Sequence, residues 1–227
     1  MARSFQQVQT LAEGQWGLIT KRQAEAAGVG WTSLNRMVET GRLERIGRGV
    51  YRVRGAAEPS HMALRAAWLS LDPDTPAWKR LDDPQVAVVS HASAADLYGV
   101  GELRADVHEF TLPVRRQSRR EDIRIHRGRI GESDRLVLHG LPATRAGRMV
   151  ADLLADHVDP TAVAHIIDGV LRHPYDYPGV VAEKISPFAR RFGLKDGDGL
   201  SLLDHMLRLA GSNQRAALME EAESRLR

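Results

Sequence analysis

Four arginines recur at intervals of three or four residues between positions 42 and 52, and apolar residues alternate with them. The arginines are Arg42, Arg45, Arg48 and Arg52, and the apolar residues are Leu43, Ile46, Val50 and Val53. This alternation predicts a β-hairpin with Arg48, which is flanked by Gly47 and Gly49, at its tip. Guanidinium groups bind phosphate and enter the minor groove of DNA, so the segment indicates contact with nucleic acid.

Two short helices joined by a tight turn are predicted directly before this hairpin. Thr20 and Gln23 have the spacing of a capping box, in which each side chain accepts a hydrogen bond from the other residue's backbone N–H. The helix that they begin would run to Ala27 and stop at Gly28, where a Gly-Val-Gly sequence allows the chain to reverse.

The second predicted helix spans residues 34–40, ends at Gly41 and has one apolar and one polar side. Leu34, Met37 and Val38 are spaced at i, i+3 and i+4 and would form a buried stripe. The polar residues have the size needed to reach base edges and phosphates from a major groove, and they are Thr32, Ser33, Asn35, Arg36 and Glu39. Either Thr32 or Ser33 is also expected to cap this helix.

Two helices followed by a basic hairpin are typical of a winged helix-turn-helix, and residues 4–13 can form a helix that closes its core. Trp16 and Trp31 are expected in that core, because isolated tryptophans more often pack than contact a ligand. We predict that both helices and the hairpin bind double-stranded DNA. The predicted contacts are Thr32, Ser33, Asn35 and Arg36 in the major groove, Arg45, Arg48 and Arg52 on phosphate or in the minor groove, and Lys21 and Arg22 on phosphate.

Positive charge is concentrated in this segment. Residues 1–54 carry nine Lys and Arg residues against four Glu residues, a net charge of +5, whereas the whole chain carries only +3. The alternative is a protein-interaction module whose basic hairpin is simply solvated. The concentration of charge on the segment favours DNA as the partner, and no cofactor is expected for this function.

The composition excludes several other classes of protein. No apolar run approaches the roughly 18 residues that span a bilayer, and the N-terminus has no apolar segment of a signal peptide. The chain has no cysteine, which excludes disulfides, thiolate metal sites and cysteine nucleophiles. A cytoplasmic protein without membrane contact is therefore expected.

A polar connection at residues 54–59 is predicted to separate two domains. Beyond it, short strands are predicted at residues 85–90, 107–112, 122–126 and 136–139, and helices follow from Thr144 onward. The predicted fold class is α+β. A winged helix-turn-helix would occupy residues 1–54, and residues 60–227 would form a small mixed-sheet domain that continues into a helical C-terminal portion.

A basic loop lies between two of the predicted strands and contains Arg115, Arg116, Arg119 and Arg120. One interpretation is a solvated loop, and the other is a second phosphate-binding patch that extends the DNA footprint. A contact there would steepen the salt dependence of binding without adding sequence selectivity.

Four of the nine histidines lie in the predicted sheet domain and could converge in space, namely His91, His108, His126 and His139. None of them has the HxxxH or HExxH spacing of a metal site. His91 is followed by Ser93 and Asp96, but no G-x-S-x-G elbow holds the serine as a nucleophile. We therefore predict neither a metal site nor a catalytic site, and no enzymatic activity.

Three segments together resemble the AbiEi family of antitoxin-type transcriptional regulators. They are residues 17–51, which end in Gly-Arg-Gly-Val-Tyr, residues 89–99 (VSHASAADLYG), and residues 123–154, which contain IRIHR, HGLPAT and ADLL. The resemblance implies a DNA-binding regulator that represses its own operon and a second domain that counters a toxin of the nucleotidyltransferase type, as in type IV toxin–antitoxin systems. An inverted-repeat operator is expected if two copies bind side by side.

Other functions remain open at this point. The chain could be an orphan regulator without a toxin, or a protein-interaction antitoxin whose winged helix binds a protein partner. A degenerate nuclease relative is a third alternative. The salt dependence of binding distinguishes DNA from a protein as the partner. Contacts with several phosphates weaken steeply as salt rises, whereas an apolar protein interface does not.

Overall fold

The computed structural model of the chain describes residues 2–225 and divides into two compact units after Ala87. Both units combine helices with a β-sheet, so the predicted α+β class is confirmed. Over residues 2–225, no helix combines the length and the apolar character that crossing a bilayer requires.

The first unit opens with the order of helices and strands that a winged helix has. Its elements are α1 (Ala2–Glu13), β1 (Leu18–Thr20), α2 (Lys21–Ala26), α3 (Trp31–Glu39), β2 (Leu43–Gly47) and β3 (Val50–Val53). The three strands form an antiparallel sheet in the order β1-β3-β2. The predicted hairpin is therefore present. Strand β1, which precedes α2, pairs with β3, the second strand of the hairpin.

An apolar core joins α1, α2 and α3 to the sheet. Helix α3 contributes Leu34 and Met37, which are buried as predicted, and Val38 packs at the margin. The other members include Val8, Ala12, Ile19, Leu43 and Tyr51. Because this stripe faces the core, the opposite side of α3 faces solvent.

The start of α2 is confirmed in detail, whereas the start of α3 differs from the prediction. Thr20 Oγ1 accepts a hydrogen bond from the Gln23 N–H at 3.1 Å, and Gln23 Oε1 accepts one from the Thr20 N–H at 3.0 Å. Helix α3 begins at Trp31, and its N-cap is Gly30, with φ −67° and ψ 164°. Glycine tolerates the N-cap position well, so the helix starts before Thr32 and Ser33, which lie inside its first turn instead of capping it.

The first unit continues past the predicted boundary at residues 54–59 and includes α4 (Met62–Leu71) and α5 (Ala77–Arg80). Trp68 on α4 is fully buried and packs edge to face on Trp16, with 6.0 Å between the ring centroids. The buried Gln15 side chain accepts a hydrogen bond from the Ala77 N–H at 3.2 Å. Contacts between residues so distant in sequence hold α4 and α5 on the winged-helix core.

The second unit contains a five-stranded mixed sheet and six α-helices among its described residues. The strands are β4 (Val88–Val89), β5 (His108–Leu112), β6 (Ile123–Arg127), β7 (Arg135–Leu138) and β8 (Leu141–Thr144), in the order β6-β5-β4-β8-β7. The helices are α6 (His91–Tyr98), α7 (Ala146–Ala155), α8 (Pro160–Arg172), α9 (Pro178–Ile185), α10 (Gly199–Leu209) and α11 (Arg215–Arg225).

Strand β8 is absent from the sequence-based prediction, which begins the helical portion at Thr144. All four of its residues are buried, and it pairs antiparallel with β7 and parallel with β4. Pro142 has no N–H to donate, and the pairing with β4 runs through Ala143 and Val89. A proline in a central strand is rare, so the residue pattern of this segment does not indicate a strand.

Candidate nucleic-acid interface

The outer side of α3 is a row of exposed side chains on a helix whose other side is fixed in the core. Trp31, Thr32, Ser33, Asn35 and Arg36 are all exposed, and we call these five residues the α3 face. Asn35 Nδ2 donates a hydrogen bond to Glu39 Oε1 at 2.8 Å. Within the described part of the chain, no hydrogen bond or ion pair engages the side chains of Thr32, Ser33 or Arg36. These groups are therefore free to bind a ligand.

Trp31 was predicted to lie in the core, and the structure corrects this prediction. Its side chain is 50% exposed at the first turn of α3. The earlier start of α3 explains the difference, because it makes Trp31 a helical residue four positions before Asn35, on the same side of the helix. This spacing is the signal in the sequence that could have identified Trp31 as part of the face. The indole adds an apolar surface and an N–H donor.

Lys21 and Arg22 at the start of α2 are accessible, and each has an acidic neighbour. Lys21 Nζ lies 3.5 Å from Glu25 Oε1, and Arg22 Nη1 lies 3.4 Å from Asp74 Oδ1. Their side chains are 43% and 64% exposed. Solvated ion pairs of this kind contribute little free energy, so a phosphate group can replace the carboxylate.

Strands β2 and β3 form the predicted hairpin, which we call the wing. Gly47 pairs with Val50, so the turn consists of Arg48 and Gly49. Gly49 has φ 72°, a conformation that a turn of this kind needs at its second residue and that glycine adopts without strain. Arg45 and Arg48 are both exposed, and Arg48 stands at the tip as predicted.

Arg52 differs from the other predicted contacts because its guanidinium group is already occupied. Its Nη2 atom lies 2.9 Å from Glu44 Oε2, and its Nη1 atom lies 3.4 Å from Glu58 Oε2. The side chain is only 16% exposed and belongs to β3, the central strand of the sheet. Two carboxylates offset its charge, so we place Arg52 outside the candidate interface and assign it the role of bracing the wing.

The basic loop lies between β5 and β6 in the second unit. Arg115, Arg116 and Arg119 are exposed and make no hydrogen bond or ion pair with any described residue. Arg120 is different, because it donates to both carboxylate oxygens of Asp122, at 2.9 Å and 2.5 Å. These bonds lower the pKa of the Asp122 carboxyl group. Three of the four predicted arginines therefore remain available to phosphate.

The histidines of the sheet domain converge in part. The rings of His91 and His126 stack with 3.6 Å between their centroids, and the Asp156 carboxylate lies beside both. His108 and His139 are not members of this group. Sequence spacing does not reveal the cluster, because its members are at least 30 residues apart along the chain. They come together only when α6, β6 and the end of α7 pack in the folded unit.

Comparison with known families finds a match for part of the first unit. The sequence model of the family described as "Transcriptional regulator, AbiEi antitoxin" (AbiEi_4) matches residues 6–54. The matched segment reaches from α1 to the end of the wing and contains all the predicted DNA contacts of the first unit. No curated protein matches the chain. The resemblance noted in the sequence is thus confirmed for this segment.

Proposed function

Since residues 6–54 match the sequence model of an AbiEi-type transcriptional regulator, we propose that the chain binds its own promoter as double-stranded DNA and represses transcription there. The observation that carries this proposal is the α3 face. Thr32, Ser33 and Arg36 are exposed and unpaired within the described residues, on a helix that Leu34 and Met37 fix in the core. A rigid helix with free polar groups on its outer side is the element that other DNA-binding domains insert into the major groove.

In the proposed complex, the α3 face reads base edges and the wing holds the DNA backbone. Arg36 can donate two hydrogen bonds to guanine. The Asn35 amide can give up its hydrogen bond to Glu39 and pair with adenine instead. Arg45 and Arg48 bind phosphate or the minor groove, and Lys21 and Arg22 bind phosphate; these four are basic and accessible. Each phosphate contact contributes about −0.9 to the slope of log K against log salt concentration, so four contacts predict a slope of about −4.

The test is binding of the full chain to its own upstream DNA at two salt concentrations, with unrelated DNA as competitor. We expect Arg36→Ala to weaken binding by about tenfold or more and to relax selectivity at one base pair. Arg48→Ala should weaken binding to all sequences and reduce the salt slope by about one. Arg3→Ala is the matched control, because it removes an exposed positive charge from α1, outside the α3 face and the wing.

Two results would contradict the proposal. One is binding to the upstream DNA that is no tighter than binding to the competitor, and the other is an equal loss in Arg3→Ala and Arg36→Ala. Footprinting of the bound DNA also reports the arrangement of the operator. Two protected half-sites in inverted orientation would correspond to two copies side by side, as a palindromic operator requires.

We also propose that the chain acts in the cytoplasm as the antitoxin of a type IV system and counteracts a nucleotidyltransferase-type toxin. The family description and the resemblance of residues 89–99 and 123–154 support this function. The test is co-expression with a nucleotidyltransferase encoded beside the gene, with cell growth as the readout. Rescue by both the wild type and Arg36→Ala would separate toxin neutralisation from DNA reading. Lack of rescue, or no such neighbouring gene, would make the chain an orphan regulator.

Trp31 supports a second candidate function, in which the winged helix binds a protein. Exposed tryptophans are frequent anchors of protein interfaces, and this one is 50% exposed. Salt distinguishes the two ligands, because an interface centred on an indole changes little with ionic strength whereas phosphate contacts are lost.

A further inference from the structure

Three side chains with metal-binding chemistry converge in the second unit, and the proposed DNA binding does not use them. His91 is the first residue of α6, His126 lies on β6, and Asp156 directly follows α7. Asp156 Oδ2 lies 3.8 Å from His91 Nε2 and 3.7 Å from His126 Nδ1. The three candidate ligand atoms all lie within 4.8 Å of one another.

The two imidazole rings are held through the nitrogen atoms that do not face Asp156. His91 Nδ1 lies 2.9 Å from the Ser90 hydroxyl oxygen, and His126 Nε2 lies 3.3 Å from Glu109 Oε1. A carboxylate that accepts the second N–H of a histidine sets the tautomer in which the other nitrogen has a lone pair. This arrangement leaves His126 Nδ1, like His91 Nε2, available to a ligand on the side of Asp156.

The gap between these atoms is the right size for a small metal ion. Distances of 3.7 and 3.8 Å are too long for hydrogen bonds, so Asp156 is not directly bonded to either ring. With Zn–N and Zn–O bonds of about 2.0–2.2 Å, neighbouring ligand atoms of a tetrahedral zinc ion are about 3.4 Å apart. A contraction of about half an ångström would therefore bring Asp156 Oδ2 to a zinc-like distance from each of the two histidine nitrogens.

The ring orientation requires one adjustment. The stacked imidazoles are 13° from parallel, and two parallel rings cannot both direct a lone pair at the same ion. His91 is buried among its neighbours, whereas His126 is 18% exposed. Zinc binding therefore requires the His126 ring to turn about its soft χ2 torsion, while its long 3.3 Å contact with Glu109 adjusts. A cleft of about 350 Å³, lined in part by His91, Glu109 and Asp156, adjoins the cluster and gives an ion a route of entry.

We propose that His91, His126 and Asp156 form a zinc site with three protein ligands and a fourth position open to water. Two imidazoles and one carboxylate match the borderline character of Zn²⁺ and favour it over Ca²⁺ or Mg²⁺, which prefer oxygen ligands. The ion ties the start of α6 to β6 and to the end of α7. It is therefore expected to stabilise the second unit, whatever the first unit binds.

Glu109 is the positioning residue of this site. It is buried, its Oε2 atom accepts a hydrogen bond from the Ala92 N–H at 2.9 Å, and its Oε1 atom lies 3.2 Å from Arg124 Nη1. These contacts fix the carboxylate that holds His126. Loss of an outer carboxylate of this type commonly lowers metal affinity by about 10–100-fold, so Glu109→Gln should weaken zinc binding without abolishing it.

The test is titration of the full chain, stripped with a chelator, with zinc chloride by calorimetry and with cobalt chloride by absorption. We expect one equivalent of Zn²⁺ to bind the wild type and to raise its unfolding temperature. The Co²⁺ form should show the d–d absorption of a low-coordinate site. Asp156→Asn should weaken Zn²⁺ binding at least tenfold, and His126→Gln should remove it. His165→Gln, which removes an exposed histidine from α8 of the same unit, is the control and should bind like the wild type.

Asp156→Asn is the decisive variant, because the side chain is 43% exposed and asparagine has nearly the same shape, so the fold should persist. Far-ultraviolet circular dichroism checks folding of every variant. The proposal is overturned if the wild type binds no Zn²⁺, or if folded Asp156→Asn binds it as tightly as the wild type does. DNA binding is measured separately, so a failure of one proposal leaves the other untouched.

Discussion

The Lys21 ammonium group lies 5.0 Å from the centroid of the Trp31 indole ring. This cation–π contact joins the start of α2 to the start of α3, at the edge of the α3 face. It places the Lys21 cation, which we propose to bind phosphate, beside an exposed aromatic ring. The two residues therefore form one corner of the proposed DNA interface.

Trp31→Ala should weaken binding to the upstream DNA by about tenfold, because it removes a contact with sugar or base and a cation–π interaction worth about 1 kcal/mol. Fluorescence anisotropy of labelled DNA gives the dissociation constant. Trp78→Ala is the matched control, since Trp78 is 43% exposed in the first unit but lies on α5, outside the α3 face. Equal effects of the two substitutions would exclude Trp31 from the interface.

Arg52→Ala should mainly lower the stability of the fold, whereas Arg45→Ala should mainly lower the affinity for DNA. Arg52→Ala removes the brace between Glu44 and Glu58 and should lower the free energy of unfolding by about 1 kcal/mol while changing DNA affinity little. Arg45→Ala should leave stability within about 0.5 kcal/mol and weaken DNA binding, since Arg45 is exposed on the wing. Thermal unfolding and anisotropy measure the two quantities. A strong loss of affinity in folded Arg52→Ala would restore it as a DNA contact.

The triple variant Arg115→Ala, Arg116→Ala and Arg119→Ala tests the basic loop as a second phosphate-binding patch. If these exposed arginines contact phosphate, the slope of log K against log salt should become shallower by about 0.9 for each lost contact. The preference for operator over competitor DNA should not change, because phosphate contacts read no sequence. Arg120 is left in place since it is bound to Asp122. An unchanged slope would mean that the loop is only solvated.

His108 should make the second unit less stable as the pH falls. Burial lowers its pKa; Asp122 and Asp96 act to raise the pKa, and Arg120 acts with burial to lower it. The unfolded histidine takes up a proton near pH 6.5, whereas the folded one remains neutral to a lower pH. Between these values the unfolded chain binds more protons, so stability present above pH 6.5 is lost as the pH falls towards the folded pKa.

Unfolding temperatures measured from about pH 7.5 to about pH 5, with a chelator present, check this prediction. His108→Gln should show a smaller decrease than the wild type over that interval. His165→Gln, at an exposed position on α8, should show the wild-type decrease. An identical pH profile for His108→Gln and the wild type would contradict the assignment.

The amino-acid sequence alone predicts those structural features whose interacting groups are close along the chain. The capping box joins Thr20 to Gln23, the α3 stripe repeats every three or four residues, and the turn at Arg48 and Gly49 lies within one hairpin. Backbone hydrogen bonds and the periodicity of helices and strands join residues that are only a few positions apart. The order of the residues is therefore enough to predict these features. The α+β class, the winged-helix segment and its exposed polar face were predicted on this basis.

The tertiary structure was needed wherever distant segments meet. It alone pairs Arg52 with Glu58, exposes Trp31, and brings His91, His126 and Asp156 together from three separate elements. It also includes α4 and α5 in the first unit and inserts β8 between β4 and β7. Local patterns cannot specify such contacts, because burial and pairing at each position depend on which other elements pack against it, and that is settled only when the whole core forms.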